Sequence, residues 1–209
     1  MKTLILSAWT ENIEALAKIT SATKLDYADL HGYEYLAHVF SSDSTEHPSW
    51  RKLRLFLDLL PTVDRLLWID ADSFVSNPMI DLDKIPHIEG LTASRDWSVN
   101  ANPSDFCGSA MILTPHALPL VERAYLKTHW INFPFWDQSA LREASLDCKN
   151  LLRVLPRRAL NAVPQELRPW AAEPWEPCDF LCHMTCVNPE ERFDFLRSHL
   201  PEKFQHIFS

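Results

Sequence analysis

Residues Leu66-Leu67-Trp68-Ile69 run without a polar interruption and end in Asp70-Ala71-Asp72. An apolar run this short, bounded by turn residues, reads as a buried strand. A strand that finishes in Asp-x-Asp carries hard anionic oxygens to the edge of a sheet, where open α/β sheets bind ligands. Such oxygens suit Mg²⁺ or Mn²⁺, ions that commonly hold a substrate diphosphate. The same tripeptide also fits a plain acidic turn, since Asp is frequent in turns. The rest of the chain weighs on that choice.

Strand and helix patterns alternate on both sides of this segment. Residues 2–8 read as a first strand, and Thr10 can cap a helix through about Ile19, with Glu11 and Glu14 near its positive end. Residues 33–40 read as a second strand and 41–48 as a polar loop. A helix over 49–60 places Leu53, Leu57 and Leu60 on one stripe, and Pro61 stops it. The strand carrying the Asp pair spans 64–69. Asn77-Pro78 marks a turn, and strands follow at 91–94 and 109–113. Helices are expected from Pro115 to about Lys127 and over 136–146, the latter entered through Asp137. A strand over 151–155, a proline-rich loop over 160–177, a strand over 179–184 and a helix from Pro189 to about Leu200 complete the pattern. The alternation predicts an α/β fold of one domain over 1–209, with a mostly parallel central sheet flanked by helices.

Composition narrows the function. The 209 residues fit one domain, with 46% apolar and 23% charged content, both ordinary for a globular chain. A net charge of −8 argues against a nucleic-acid partner. No run approaches the length of a membrane span. The five cysteines lack the density of a disulfide scaffold, which fits a reducing, cytoplasmic setting. The three glycines, at 32, 90 and 108, cannot build a Gly-rich phosphate loop. If a nucleotide binds, carboxylates and a metal must hold its phosphates.

Four further groups keep company with the Asp pair. They are Trp50-Arg51-Lys52, one helix before it; Asp137-Gln138-Ser139; the segment Asp179-Phe180-Leu181-Cys182-His183; and, early on, Tyr27-Ala28 with His31-Gly32-Tyr33. In this order the chain resembles a family of GT-A-fold glycosyltransferases, the one that groups fungal α-galactosyl- and α-mannosyltransferases with plant xyloglucan xylosyltransferases. The resemblance spans roughly residues 25–190. It implies a GT-A-like fold and a nucleotide-diphosphate sugar as donor, with a glycan or other hydroxyl acceptor. It implies a metal set of Asp70, Asp72 and His183, with Asp70 between metal and ribose, and Mn²⁺ or Mg²⁺ as the ion. Asp70, Lys52 and Trp50 would contact the donor. Asp137 and Gln138 would act beside the donor sugar, and the linkage would retain its configuration.

Each residue has a plainer role to set against this one. His183 fits a satisfied histidine in a buried strand. Asp137 fits a helix N-cap, a role compatible with offering an oxygen to a sugar hydroxyl. Lys52 fits a solvated helix residue. Eight tryptophans could pack the core or stack on sugar rings, with Trp170 or Trp175 as the expected acceptor platform among Trp97, Trp130, Trp136, Trp170 and Trp175. Cys178, Cys182 and Cys186, spaced by four, fit one face of a strand better than a zinc knuckle.

The chain departs from the family pattern. Cys178 stands where a glycine usually precedes Asp179. After His183 the family's glycine and lysine are replaced by Cys186 and Asn188, which removes a diphosphate-contacting cation; Lys203 and Arg192 are the other cations nearby in sequence. No anchor or stem of the anchored members is evident. Two rival readings are a haloacid-dehalogenase-type phosphatase, which also uses strand-Asp-x-Asp, and a catalytically inactive glycan-binding relative. Phe74 disfavours the first; the intact Asp70, Asp72, Asp137 and His183 disfavour the second.

Overall fold

The computed structural model describes residues 1–98 and 105–208. Strands β1 (Thr3–Thr10), β2 (Glu34–Phe40) and β3 (Arg65–Ile69) form a parallel set with β1 in the middle. Strand β4 (Ser73–Val75) leaves that sheet. Strands β5 (Leu91–Arg95), β6 (Phe106–Leu113) and β7 (Leu152–Leu155) extend the sheet on the β3 side, giving the order β2-β1-β3-β6-β5-β7. Strand β6 runs antiparallel to both neighbours, while β5 and β7 are parallel. The sheet is therefore mixed and mostly parallel.

Both faces of this sheet are covered, which is why its inner strands are apolar without alternation. Leu4, Leu6, Leu66, Trp68, Met111 and Leu113 point to one face, and Ile5, Leu67, Ile69, Ala110 and Ile112 to the other. The first face packs under α2 (Pro48–Leu59), α3 (Leu118–Tyr125) and α4 (Trp136–Ser145). The second packs against α1 (Glu14–His31) through Tyr27 and Ala28. A last helix, α5 (Pro189–His199), starts with Asn188 accepting from the Glu191 N–H at 2.9 Å, Pro189 next, and Glu190 and Glu191 in the first turn. That is a complete helix-start signature.

Several boundaries differ from the sequence expectation. The first helix runs to His31, well past Ile19, and a 3₁₀ turn over Glu11–Ile13 precedes it. Thr10 makes no capping bond; its hydroxyl bonds the Asn12 side chain. The second half of α1 was hard to read because its buried face carries Thr20, Thr23 and Lys24, which break the apolar stripe. Gly32 ends the helix in the left-handed region, φ 69°, as a C-terminal glycine does. On α2, Phe56 rather than Leu57 joins Leu53 and Leu60 in the core. Strand β6 begins at Phe106 instead of 109, and the expected helix from Pro115 opens as a 3₁₀ turn over Pro115–Ala117.

The largest difference concerns the C-terminal strand. It is short, β8 (Leu181–His183), and it pairs antiparallel with β4 in a separate two-stranded ribbon. Of the three spaced cysteines only Cys182 lies in it; Cys178 and Cys186 are exposed in the turns on either side, so they share no strand face. Behind the ribbon Phe74, Trp175, Met184, Phe195 and Leu196 form their own apolar cluster with α1 and α5. Among the described residues, no helix is long and apolar enough to cross a membrane.

Phe74 is fully buried, edge-on to Trp175 at 6.2 Å between ring centres. Phe74→Ala should lower unfolding stability by about 3–5 kcal/mol, the usual cost of an aromatic-sized core deletion. Urea denaturation measures it. A loss below about 1 kcal/mol would show that the ribbon does not depend on this packing.

Candidate active site

The Asp pair sits where β3 meets the ribbon. Strand β3 ends at Ile69, and the Asp70 N–H donates to the Ser109 carbonyl at 2.7 Å, so the turn starts from a fixed point on β6. Ser73 N–H then donates back to the Asp70 carbonyl at 3.1 Å. The β4–β8 register sets Ser73 opposite His183, and Met184 N–H donates to the Asp72 carbonyl at 3.0 Å. These bonds leave His183 Nε2 3.4 Å from Asp72 Oδ1. One ligand atom each from Asp70, Asp72 and His183 fall within 4.8 Å of one another.

Asn161, absent from the sequence reading, decides which nitrogen of His183 faces this cluster. It is buried, at 1% exposure, and its Oδ1 accepts from Ser109 Oγ at 3.0 Å and lies 2.8 Å from His183 Nδ1. An oxygen already accepting one bond is best matched by an Nδ1–H donor, which turns Nε2 to the acids: protonated it donates to Asp72, and deprotonated its lone pair is free for a cation. No sequence motif flags this asparagine; it belongs to the proline-rich loop and reaches the site through the Ala162–Cys182 bridge.

The charges here are closely balanced. Burial penalises the Asp70 carboxylate and Asp72 and Asp137 repel it, against the attraction of Lys52 and His183; the result is a raised pKa. Burial also opposes ionisation of Asp72, but His183, Arg192 and Lys24 together hold it below the ordinary value. His183 loses hydration on burial, yet Asp72 lifts its pKa well above the usual histidine value. Lys24 is wholly buried beneath the turn, where its Nζ donates to the Asp70 carbonyl at 2.8 Å and to Ser7 Oγ at 3.0 Å. Desolvation pulls its pKa down to about 7, against Asp72 and Asp70.

Lys52 and Asp137 form the second half of the site. Lys52 is not a solvated helix residue. It is 7% exposed and its Nζ lies 2.9 Å from Asp137 Oδ2, 3.6 Å from Asp70 Oδ1 and 2.8 Å from the Gly108 carbonyl. It also stands over the Trp68 ring, 4.7 Å from its centre. Burial works against its charge, but Asp137 and Asp70 raise its pKa. Asp137 is not a helix cap: Phe135 holds that position, and Asp137 lies inside the first turn of α4, free to face Lys52. Gln138 accepts from the Gly108 N–H at 2.6 Å and donates toward Asp96 at 3.5 Å. A Cβ on residue 108 would sit in ordinary contact with Gln138 at 3.5 Å and Lys52 Nζ at 3.7 Å, so β6 packs directly against both.

A cleft of about 310 Å³ lies at the C-terminal ends of β1 and β3, bounded by Ala8, Thr10, Phe40 and Lys52. A recess of about 180 Å³ adjoins it, bounded by Ser109, Gln138, His183 and Cys186. Asp70, Asp72, Asp137 and Trp136 border both. Trp136 is the aromatic wall of this junction, 45% exposed, and tilted against His47 at 5.4 Å. Phe135 and Trp136 both adopt positive φ, 66° and 30°. Non-glycine residues held this way tend to mark functional sites.

Other expected residues lie elsewhere. Trp50 is core, 2% exposed, its Nε1 donating to the Tyr125 carbonyl at 2.9 Å, and it borders neither space. Trp175 is also core, bonded to Ser76 Oγ at 3.1 Å, so it offers no face to an acceptor; Trp170 is 54% exposed. Asp179 is clamped by Arg158 at 2.9 Å and accepts from the Glu176 N–H, which fixes the turn into β8. Tyr27, His31 and Tyr33 pack together at the end of α1, where Tyr27 and His31 bond the Ile80 and Pro78 carbonyls.

Lys52→Met should cost about 3 kcal/mol or more of stability, because it leaves buried carboxylates without their cation. Adding Asp137→Asn should recover part of that loss, as coupled charges do. Chemical denaturation of the single and double variants measures both steps. Additive losses would mean that the two side chains do not act as a pair.

No protein-family model and no curated protein sequence matches the chain. Solved structures do. A glycosyltransferase involved in glycosylation of the major capsid of PBCV-1 aligns over 95% of this chain and 100% of its own, with a TM-score of 0.75 at 16% identity. The glycosyltransferase GlyE of Streptococcus pneumoniae TIGR4 aligns over 99% of this chain and 62% of its own, with a TM-score of 0.64 at 14% identity. The galactosyltransferase LgtC, in complex with donor and acceptor sugar analogues, aligns over 98% and 99%, with a TM-score of 0.61 at 13% identity. The chain thus shares the mixed α/β fold of GT-A-type glycosyltransferases.

Proposed function

We propose that the chain is a metal-dependent glycosyltransferase. It would move a hexose or pentose from a nucleotide-diphosphate sugar to a hydroxyl of a glycan or other acceptor, with retention of configuration. The observation that carries this reading is the meeting of Asp70, Asp72 and His183 within 4.8 Å beside a recess that Asp137 and Gln138 also line. The resemblance to galactosyl-, mannosyl- and xylosyltransferases read from the sequence supports it, as do the structural neighbours, which are glycosyltransferases.

The residues fit the ion. Two carboxylates and an imidazole nitrogen make a reasonable Mn²⁺ or Mg²⁺ set, with nitrogen favouring Mn²⁺. When bound, the ion supplies Lewis acidity that neutralises charge developing on the departing diphosphate. Asp72 and His183 would hold it, Asn161 would keep the His183 ring in its ligating orientation, and Asp70 would reach ion and ribose. Lys52 would aim Asp137 at the sugar, and Gly108 would fix Gln138 beside it.

The acids and bases at hand support retention. An inverting enzyme needs a general base opposite the leaving group. Among the described residues bordering the recess, the carboxylates and imidazole are Asp70, Asp72, His183, Asp137 and Asp96. The first three belong to the ion, Lys52 engages Asp137, and Arg142 pairs with Asp96 at 2.8 Å. A phosphatase reading has less behind it, because the chain shares its fold with GT-A-type glycosyltransferases.

A hydrolysis screen of UDP-galactose, UDP-glucose, UDP-xylose and GDP-mannose with Mn²⁺ tests the reading. At least one donor should be consumed, and none once EDTA is present. Calorimetry should show Asp72→Ala or His183→Ala weakening Mn²⁺-dependent UDP or GDP binding by about 1–3 kcal/mol or more. Affinity unchanged by EDTA would overturn the metal assignment. Mn²⁺ affinity should fall as the pH drops, since His183 takes up a proton readily when no ion is bound and must lose it to ligate. Asp137→Asn should keep Mn²⁺ affinity and lose most turnover. An active variant would remove Asp137 from the chemistry.

A further inference from the structure

We propose that Arg192 is the cation that meets the diphosphate: it rests on Asp72 until a divalent ion takes that carboxylate, then turns its guanidinium to the phosphate oxygens. This rests on the glycosyltransferase reading above. Three cations converge on the Asp70–Asp72 turn, and two cannot move. Lys24, on α1, is sealed beneath the turn, with its Nζ held by the Asp70 carbonyl and Ser7. Lys52 is tied to Asp137 and to the Gly108 carbonyl.

Arg192 differs in how it is held. Its Nε donates to the Met184 carbonyl at 3.0 Å, which anchors the stem of the group, while Nη2 reaches Asp72 Oδ2 at 3.2 Å. Its side chain keeps 14% of its exposure, against 9% for Lys52. The contacted oxygen is the one that does not face His183, whose Nε2 approaches Asp72 Oδ1. An ion bound between Asp72 and His183 would cancel the charge that holds Nη2 and repel the guanidinium. A diphosphate arriving with that ion offers paired oxygens, which a guanidinium fork matches. Neighbouring groups cannot substitute. Asn188 is uncharged and caps α5, and Lys203 pairs with Asp26 at 2.6 Å.

The test separates this role from simple support of Asp72. Arg192→Gln is titrated with Mn²⁺ alone, followed by electron paramagnetic resonance, and then with UDP, GDP and pyrophosphate in saturating Mn²⁺. Mn²⁺ alone should bind as well as in the wild type, or up to about ten-fold tighter, because a competing positive charge is gone. The nucleotide and pyrophosphate affinities should fall about ten-fold or more. Arg192→Lys, which keeps the charge but not the fork, should fold normally, keep Mn²⁺ affinity and lose several-fold in diphosphate affinity. Mn²⁺ affinity falling together with that for the nucleotide would reduce Arg192 to a prop for Asp72 and overturn the proposal. So would unchanged nucleotide and pyrophosphate affinity in both variants. A wild type that binds Mn²⁺ but neither nucleotide nor pyrophosphate would instead sink the glycosyltransferase reading itself.

Discussion

Three carboxylates crowd one cleft, their like charges must be met by cations, and the rest of the site follows from that constraint. Asp70, Asp72 and Asp137 are answered by Lys24, Lys52 and Arg192. Each cation comes from a different helix: α1 beneath the turn, α2 across the sheet face, and α5 from behind the ribbon. Buried ion pairs add little net stability, because desolvation offsets much of the attraction. Their effect here is positional. Removing any one cation leaves like charges crowded in a poorly solvated space, so three helices are bound to one turn.

The same turn depends on the small ribbon. Strand β8 has only three residues, too few to be stable alone, and it returns from the far end of the chain to pair with β4. Closing so long a loop costs entropy. The apolar cluster of Phe74, Trp175, Met184, Phe195 and Leu196 behind the ribbon offsets that cost. Packing remote from the cleft thereby sets the distance between His183 and Asp72. Asn161 adds the orientation of the ring, so a loop without regular structure controls which histidine nitrogen faces the acids.

The sheet was legible because its inner strands are covered on both faces, and a strand so placed is written as an unbroken apolar run such as Leu66–Ile69. The Asp pair was legible because it terminates such a run, whereas Asp137 and His183 stood out only through the family resemblance, since alone they fit a helix start and a buried strand. Trp175 misled the reading because an indole suits a core and a sugar platform equally, and only burial separates the two. Trp136, with a solvent-exposed face on the cleft, carries no sequence mark that distinguishes it from Trp175.

The sequence alone thus determined the alternating α/β plan and the acidic edge, since both arise from local residue order, in the unbroken apolar runs of covered strands and the spacing of helix residues between them. What only the tertiary structure decided is which charges meet. Lys24 falls beyond the helix the sequence suggested, and Lys52 fits a donor contact and a solvated helix residue equally, until α1 and α2 close over the turn. Arg192 reads as one more cation on a charged helix until the ribbon brings α5 against Asp72. A charge is written in one residue, but the partner that makes its burial tolerable is chosen by packing between segments far apart in the chain.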